Sequence, residues 1–120
     1  MARSLVADWI RLHVENRKSS DPSFAAWEEV RDLVSSHPED GWPLILELIA
    51  EAPDDRVLAS IAAGPLEDLL VNSPEQFGDR AEVEARRDPK FRRCLTGVWG
   101  LPASLRDRLA KYTSTIADPL

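Results

Sequence analysis

The sequence predicts an all-α protein, a compact irregular bundle of six to eight short helices with HEAT-like pairing of neighbours, as one domain over residues 1–120. Three observations predict it. Apolar residues recur at three- and four-residue spacing through most of the chain, the period of an amphipathic helix. No segment alternates apolar and polar residues for long, so no strand is expected. Prolines 22, 38, 53, 65, 74, 89 and 102 each stand just ahead of an apolar-periodic stretch. Proline is favoured at the first helical position, where its missing N–H costs nothing.

The elements follow in order. Leu5, Trp9 and Leu12, with Val6, Ile10 and His13, predict a first helix over about 4–18. Phe24, Trp27, Val30 and Val34 predict a second over about 22–36, with Asp21 as its cap ahead of Pro22. Trp42, Leu44, Ile45, Leu46, Leu48 and Ile49 are apolar almost all round, so the third helix should be central. Pro43 then fits its first turn or kinks it. Val57, Leu58, Ile61 and Ala62 make a short fourth helix. Gly64 reads as its left-handed closing residue, and Pro65 as the start of a fifth helix carrying Leu66, Leu69 and Leu70. Ser73-Pro74-Glu75-Gln76 reads as a capping box before a sixth helix with Phe77, Ala81 and Ala85, weakened by Gly78. Asp88-Pro89 opens a seventh, with Phe91, Cys94, Leu95, Val98 and Trp99. Leu105, Leu109, Tyr112 and Ile116 make the eighth, and residues 113–120 are expected to fray. Trp27, Trp42 and Trp99 fall on apolar stripes and are expected in the core. Trp9 lies near an end of the array, where half-coverage would make it an interface anchor.

Composition narrows the function. The 120 residues are 43% hydrophobic and 30% charged, with a net charge of −6. That balance suits a folded globule and argues against general nucleic-acid binding, which needs excess Lys and Arg to displace counterions. A lone cysteine, Cys94, allows no internal disulfide. The segment from Met1 to Trp9 is broken by Asp8 and lacks the apolar core of an export signal. A cytoplasmic location is therefore expected. The longest apolar run, Trp42 to Ile49, contains Glu47 and falls well short of the ~20 residues that span a bilayer, so no membrane role is expected.

Three segments then stand out together: Trp42-Pro43-Leu44-Ile45-Leu46-Glu47-Leu48-Ile49, Ile61-Ala62-Ala63-Gly64-Pro65-Leu66-Glu67-Asp68-Leu69-Leu70, and Arg87-Asp88-Pro89-Lys90-Phe91-Arg92-Arg93-Cys94-Leu95 with Val98-Trp99. With these the chain resembles, over roughly residues 25–100, an uncharacterised bacterial family classed as a domain of unknown function and marked by an A-G-P-L-E-D-L-L core. The resemblance implies a small all-helical protein and brings no activity, cofactor or catalytic residue.

Charged constellations carry the functional readings. Glu67 and Asp68 read structurally as first-turn carboxylates that complement a helix dipole, and functionally as anchors for a cation. Arg86, Arg87, Arg92 and Arg93, with Lys90, form a basic run interrupted by Asp88. Guanidinium groups recognise carboxylate or phosphate through paired hydrogen bonds, so the run reads either as an anion-binding cluster or as intrachain pairing, with Arg92 or Arg93 reaching Glu67 or Asp68. From Glu39 to Asp55 the chain holds Glu39, Asp40, Glu47, Glu51, Asp54 and Asp55 and no basic residue. Residues 1–60 carry 6 basic and 12 acidic side chains, and residues 61–120 carry 9 of each. Such asymmetry bears on association and steering.

Signals for chemistry are poor. His13 and His37 are isolated, no zinc or calcium spacing occurs, and the carboxylates Glu28, Glu29 and Asp32 lack the histidines a di-metal bundle would need. Cys94 lies in an apolar stripe and reads as an inert thiol. No catalytic residue, metal or cofactor is expected. The leading expectation is a non-catalytic protein-interaction module, of immunity or inhibitor type, that binds a basic partner through its acidic third and fourth helices, with Glu39, Asp40, Glu47, Glu51, Asp54 and Asp55 as the partner-binding residues. One alternative is a small enzyme or ligand-binding protein using Glu67, Asp68 and the Arg86–Arg93 cluster. The other is a homodimeric scaffold with Trp9 and the last helix at its interface.

Overall fold

The computed structural model describes residues 5–14 and 24–120. Among these residues the chain forms helices α1 (Leu5–Val14), α2 (Phe24–Ser36), α3 (Pro38–Glu51), α4 (Asp55–Ile61), α5 (Glu67–Asn72), α6 (Pro74–Arg87), α7 (Pro89–Leu95) and α8 (Ala103–Thr113), with no strand. A π-helical turn, Ala62–Leu66, joins α4 to α5. The Asp21–Pro22 cap and the last residues expected of the first helix lie outside the described residues.

Proline sets the helix starts as expected at Pro38, Pro74 and Pro89. Asp54 caps α4 by accepting the Val57 N–H at 2.9 Å, and Asp88 caps α7 by accepting the Lys90 N–H at 2.9 Å. Each satisfies a donor that the first turn leaves without an intrahelical partner. Ser73 departs from expectation, because its hydroxyl makes no capping bond. Gln76, the other half of the expected box, reaches Glu39 on α3 instead, at 2.5 Å. Pro43 falls in the second turn of α3, since the helix begins at Pro38. It faces solvent there, where water can satisfy the carbonyl that proline leaves without a donor.

Helix α3 is the centre of the molecule. It packs against α1, α2, α4, α5 and α7, and Trp42, Ile45, Leu48 and Ile49 are buried in it. The Trp42 indole stacks on Phe77 of α6 at 5.7 Å and meets Phe91 of α7 edge-on at 6.0 Å, geometries that aromatic pairs prefer. Gly78, read in the sequence as a weakness of the sixth helix, is buried where α6 meets α8. A Cβ there would lie 3.3 Å from Leu105 and 3.2 Å from Arg108.

Four expectations need correction. Gly64 does not end a helix, and Pro65 does not start one: the helical path runs from Asp55 to Asn72 through the π turn. Proline inside an α-helix removes one backbone bond and crowds the carbonyl four residues back. The wider π turn relieves that conflict, with the Glu67 N–H bonding the carbonyl of Ala62 five residues earlier. Second, the tryptophans exchange roles. Trp9 is 1% exposed and Trp99 is 82% exposed. Helix α1 is covered by α2, α3 and α4, whereas α7 stops at Leu95 and the chain turns through Gly97, so Trp99 leaves the apolar stripe. Third, with Trp9 buried it cannot anchor the dimer interface considered for it. Fourth, the residues after Thr113 are tied back. Arg93 donates to the Asp118 carbonyl, the Leu120 N–H donates to Thr96 Oγ1 at 2.9 Å, and Leu120 packs on the core.

Two glycines offer a test of this packing. A Cβ at Gly97 would lie 2.9 Å from the Ala62 Cβ, whereas one at Gly64 would meet nothing within 4 Å. Gly97→Ala should cost about 1–3 kcal/mol through overpacking. Gly64→Ala should leave stability unchanged or raise it by up to ~1 kcal/mol through helix propensity. Urea unfolding midpoints of the two variants check both signs.

Candidate functional site

The acidic pair and the basic run do not meet. Arg86 donates to Tyr112 at 3.0 Å and to Glu82 at 3.2 Å, and Arg87 grips Glu84 at 2.5 and 3.1 Å. Arg92 turns back to the carbonyls of Ala85 and Arg86, at 2.8 and 3.3 Å, near the end of α6. Arg93 holds both oxygens of Asp55, at 3.0 and 2.7 Å. Lys90 donates to the carbonyls of Ala50 and Ala52 at the end of α3, at 3.0 and 2.9 Å. Cations thus sit where helix dipoles leave negative charge and open carbonyls.

Glu67 faces elsewhere. Its carboxylate accepts the backbone N–H groups of Trp99 at 2.8 Å and Gly100 at 3.2 Å. Asp68 makes no hydrogen bond or ion pair among the described residues. Its carboxyl is held above the usual value by partial burial and by the charge of Glu67, against the pull of Arg31. The composite of Glu67, Asp68, Arg86, Arg87, Arg92 and Arg93 is therefore not assembled, because each arginine finds an acceptor on its own helix or an adjoining element.

The strongest ionic cluster was missed in the sequence. Glu82 of α6 accepts from Arg108 at 2.9 Å, Tyr112 at 2.9 Å and Arg86 at 3.2 Å, and pairs with Lys111 at 3.1 Å. Arg108, Lys111 and Tyr112 push its pKa down to about 2. Arg86 at i+4 was a legible signal; the partners from α8 required the tertiary fold.

The six acidic residues from Glu39 to Asp55 divide in two. Glu39 is bound by Arg80 at 2.9 and 3.1 Å and by Gln76, Asp55 is held by Arg93, and Asp54 caps α4. Asp40, Glu47 and Glu51 are exposed and make no hydrogen bond or ion pair among the described residues. Their spacing of seven and four puts them on one stripe of α3. On α2, Glu28, Glu29 and Asp32 are likewise exposed, and their carboxylates make no hydrogen bond or ion pair among the described residues. Glu29 and Asp32 border a groove of about 420 Å³, lined also by Leu5, Leu33, Ser36 and His37. By contrast, every Lys and Arg among the described residues except Arg31 and Arg106 donates a hydrogen bond or forms an ion pair within the chain.

The groups that most often carry chemistry have structural surroundings. His13 stacks on Trp9 at 3.6 Å with Nδ1 2.8 Å from the Trp9 carbonyl, and burial lowers its pKa. Burial pushes the Cys94 thiol up to about 12, far from the thiolate form a nucleophile needs. Among the described residues no three His, Cys, Asp or Glu are grouped to hold a metal ion, and no helix is long and apolar enough to cross a membrane.

Residues 14–116 match a family of unknown function, DUF6869, which extends the expected resemblance at both ends. No curated protein and no solved structure matches the chain.

The Glu82 cluster yields a pH dependence. Its carboxyl titrates near 4.5 when unperturbed and near 2 in the fold. Between these values the unfolded chain takes up the proton first, so stability is full above about pH 4.5 and is lost as the pH falls towards 2. Urea midpoints measured across this range should fall with pH, and Glu82→Gln should flatten the slope.

Proposed function

We propose that the chain, which belongs to DUF6869, is a non-catalytic protein-interaction module that takes a basic partner segment on the carboxylate surface of α2 and α3. The observation that carries this reading is the unequal use of charge. The basic side chains are almost all engaged within the chain, while Glu28, Glu29, Asp32, Asp40, Glu47 and Glu51 stand exposed and unbonded. Six free carboxylates thus stand on two adjoining helices. Such a surface steers a cationic partner at distance and gives salt-dependent association. The groove beside Leu5 and Leu33 adds apolar area between carboxylates, which suits the apolar face of an amphipathic basic segment. An immunity-type or inhibitor protein that neutralises a basic enzyme is the more specific form of this proposal. The surroundings of His13 and Cys94 support the non-catalytic part of it.

The test is affinity capture from native lysate with tagged wild type and with the triple variant Asp40→Lys, Glu47→Lys, Glu51→Lys. These residues are exposed and unbonded, so the variant should fold. A stoichiometric basic protein should be retained on the wild type at low salt, released at high salt, and bound at least about tenfold more weakly by the variant. Absence of such a protein, or equal retention by the variant, overturns the proposal.

A further inference from the structure

A cleft of about 390 Å³ lies where α1 and α2 meet the π turn. Trp9 comes from α1, Trp27 and Arg31 from α2, Gly64 and Pro65 from the π turn, and Asp68 from α5. The π turn makes this space. Pro65 requires the helix to widen, and Gly64 leaves the adjoining volume open, since a Cβ there would meet nothing within 4 Å. The volume lies within the range of small-molecule sites.

The polar lining is an opposed pair of charges. Arg31 and Asp68 border the same cleft and the charge of Arg31 pulls on the Asp68 carboxyl, yet they form no ion pair and neither makes a side-chain hydrogen bond among the described residues. Among the described residues Arg31 and Arg106 are the cations that no carboxylate or carbonyl holds, and Arg31 borders the same cleft as the unbonded carboxylate of Asp68. The aromatic lining restricts the ligand further. Phe24, one turn before Trp27, stacks on its indole at 5.1 Å, and Arg31, one turn after, sits over the ring at 5.3 Å. Two neighbours thus already occupy the Trp27 ring, which disfavours a stacked planar base and suits an aliphatic or phenyl group in edge contact.

We infer that this cleft binds a small zwitterion of the free α-amino acid class, its carboxylate held by Arg31 and its ammonium by Asp68. Guanidinium takes a carboxylate through two parallel hydrogen bonds, and the apolar side chain lies against the Trp27 indole edge, over the floor that Trp9 and Pro65 close. A simple anion would meet the charge of Asp68 and a simple cation that of Arg31, so only a ligand carrying both charges satisfies both walls. Bound ammonium would also offset the partial burial and the Glu67 charge that now disfavour an ionised Asp68. This site is distinct from the outer carboxylate surface of α2 and α3, and the two proposals stand or fall separately.

The test is a titration of ¹⁵N-labelled full chain with L-phenylalanine and L-leucine to millimolar concentration, beside N-acetyl-L-phenylalanine, which lacks the ammonium, and L-phenylalaninamide, which lacks the carboxylate. At least one free amino acid should shift the Gly64 amide and the Trp27 indole signals, and both blocked analogues should bind at least about tenfold more weakly. Arg31→Gln and Asp68→Asn should each weaken binding to a similar degree. Gly64→Leu, which fills the cleft, should abolish it without loss of thermal stability. No shift with either amino acid, equal affinity for a blocked analogue, or undiminished binding by Arg31→Gln or Asp68→Asn overturns the inference.

Discussion

The burial of α3 is the constraint from which the rest follows. Its apolar residues point in almost every direction, so the chain must supply cover from both earlier and later in the sequence, and α1, α2, α4, α5 and α7 do so. Trp42 bridges to Phe77 and Phe91, binding the first half of the chain to the second. One stripe is left uncovered, and it carries Asp40, Pro43, Glu47 and Glu51. The central helix thus shows solvent little but carboxylate and a proline. The core and the candidate interaction surface are two sides of one element, which fixes those carboxylates on a rigid support.

Electrostatics divide the molecule by use rather than by count. In the C-terminal half, charge is spent locally: Glu82 gathers Arg86, Arg108, Lys111 and the Tyr112 hydroxyl, and Arg92 and Lys90 close helix ends. Most of these pairs are exposed, and each adds little to stability by itself. Their combined effect is to remove basic side chains from the surface available to partners. The N-terminal half keeps its acidic excess free, so the asymmetry visible in composition is sharper in space than in sequence.

The helices were legible because their signals are local. Proline starts at 38, 74 and 89, caps at Asp54 and Asp88, and the all-round apolarity of α3 each act within one or two turns. What misled was equally specific. Gly64-Pro65 carries the residues of a helix break, but burial of Ala62, Pro65 and Leu66 against the core favours a widened continuous helix over a turn. Trp99 continues the apolar spacing of α7, yet the helix ends four residues earlier. The free carboxylates of α3 were identified, whereas their separation from Glu39 and Asp55 depends on Arg80 and Arg93, contributed from distant parts of the chain. The cleft at the π turn could not be read at all, because Arg31 and Asp68 are brought together only by tertiary packing.

The clamp by which Glu67 holds the Trp99 and Gly100 amides makes the tryptophans optically unequal. Trp9 and Trp42 are sealed in the core, Trp27 is half-covered, and Trp99 stands 82% exposed on an anchored turn. The protein therefore carries a water-facing fluorophore whose backbone is tethered to the helix that follows the π turn. An indole so exposed to water emits further to the red than a buried one, and Trp99 is the tryptophan most open to collisional quenchers. Substituting that one residue separates it from the buried indoles, giving a native reporter on the clamp that needs no added label.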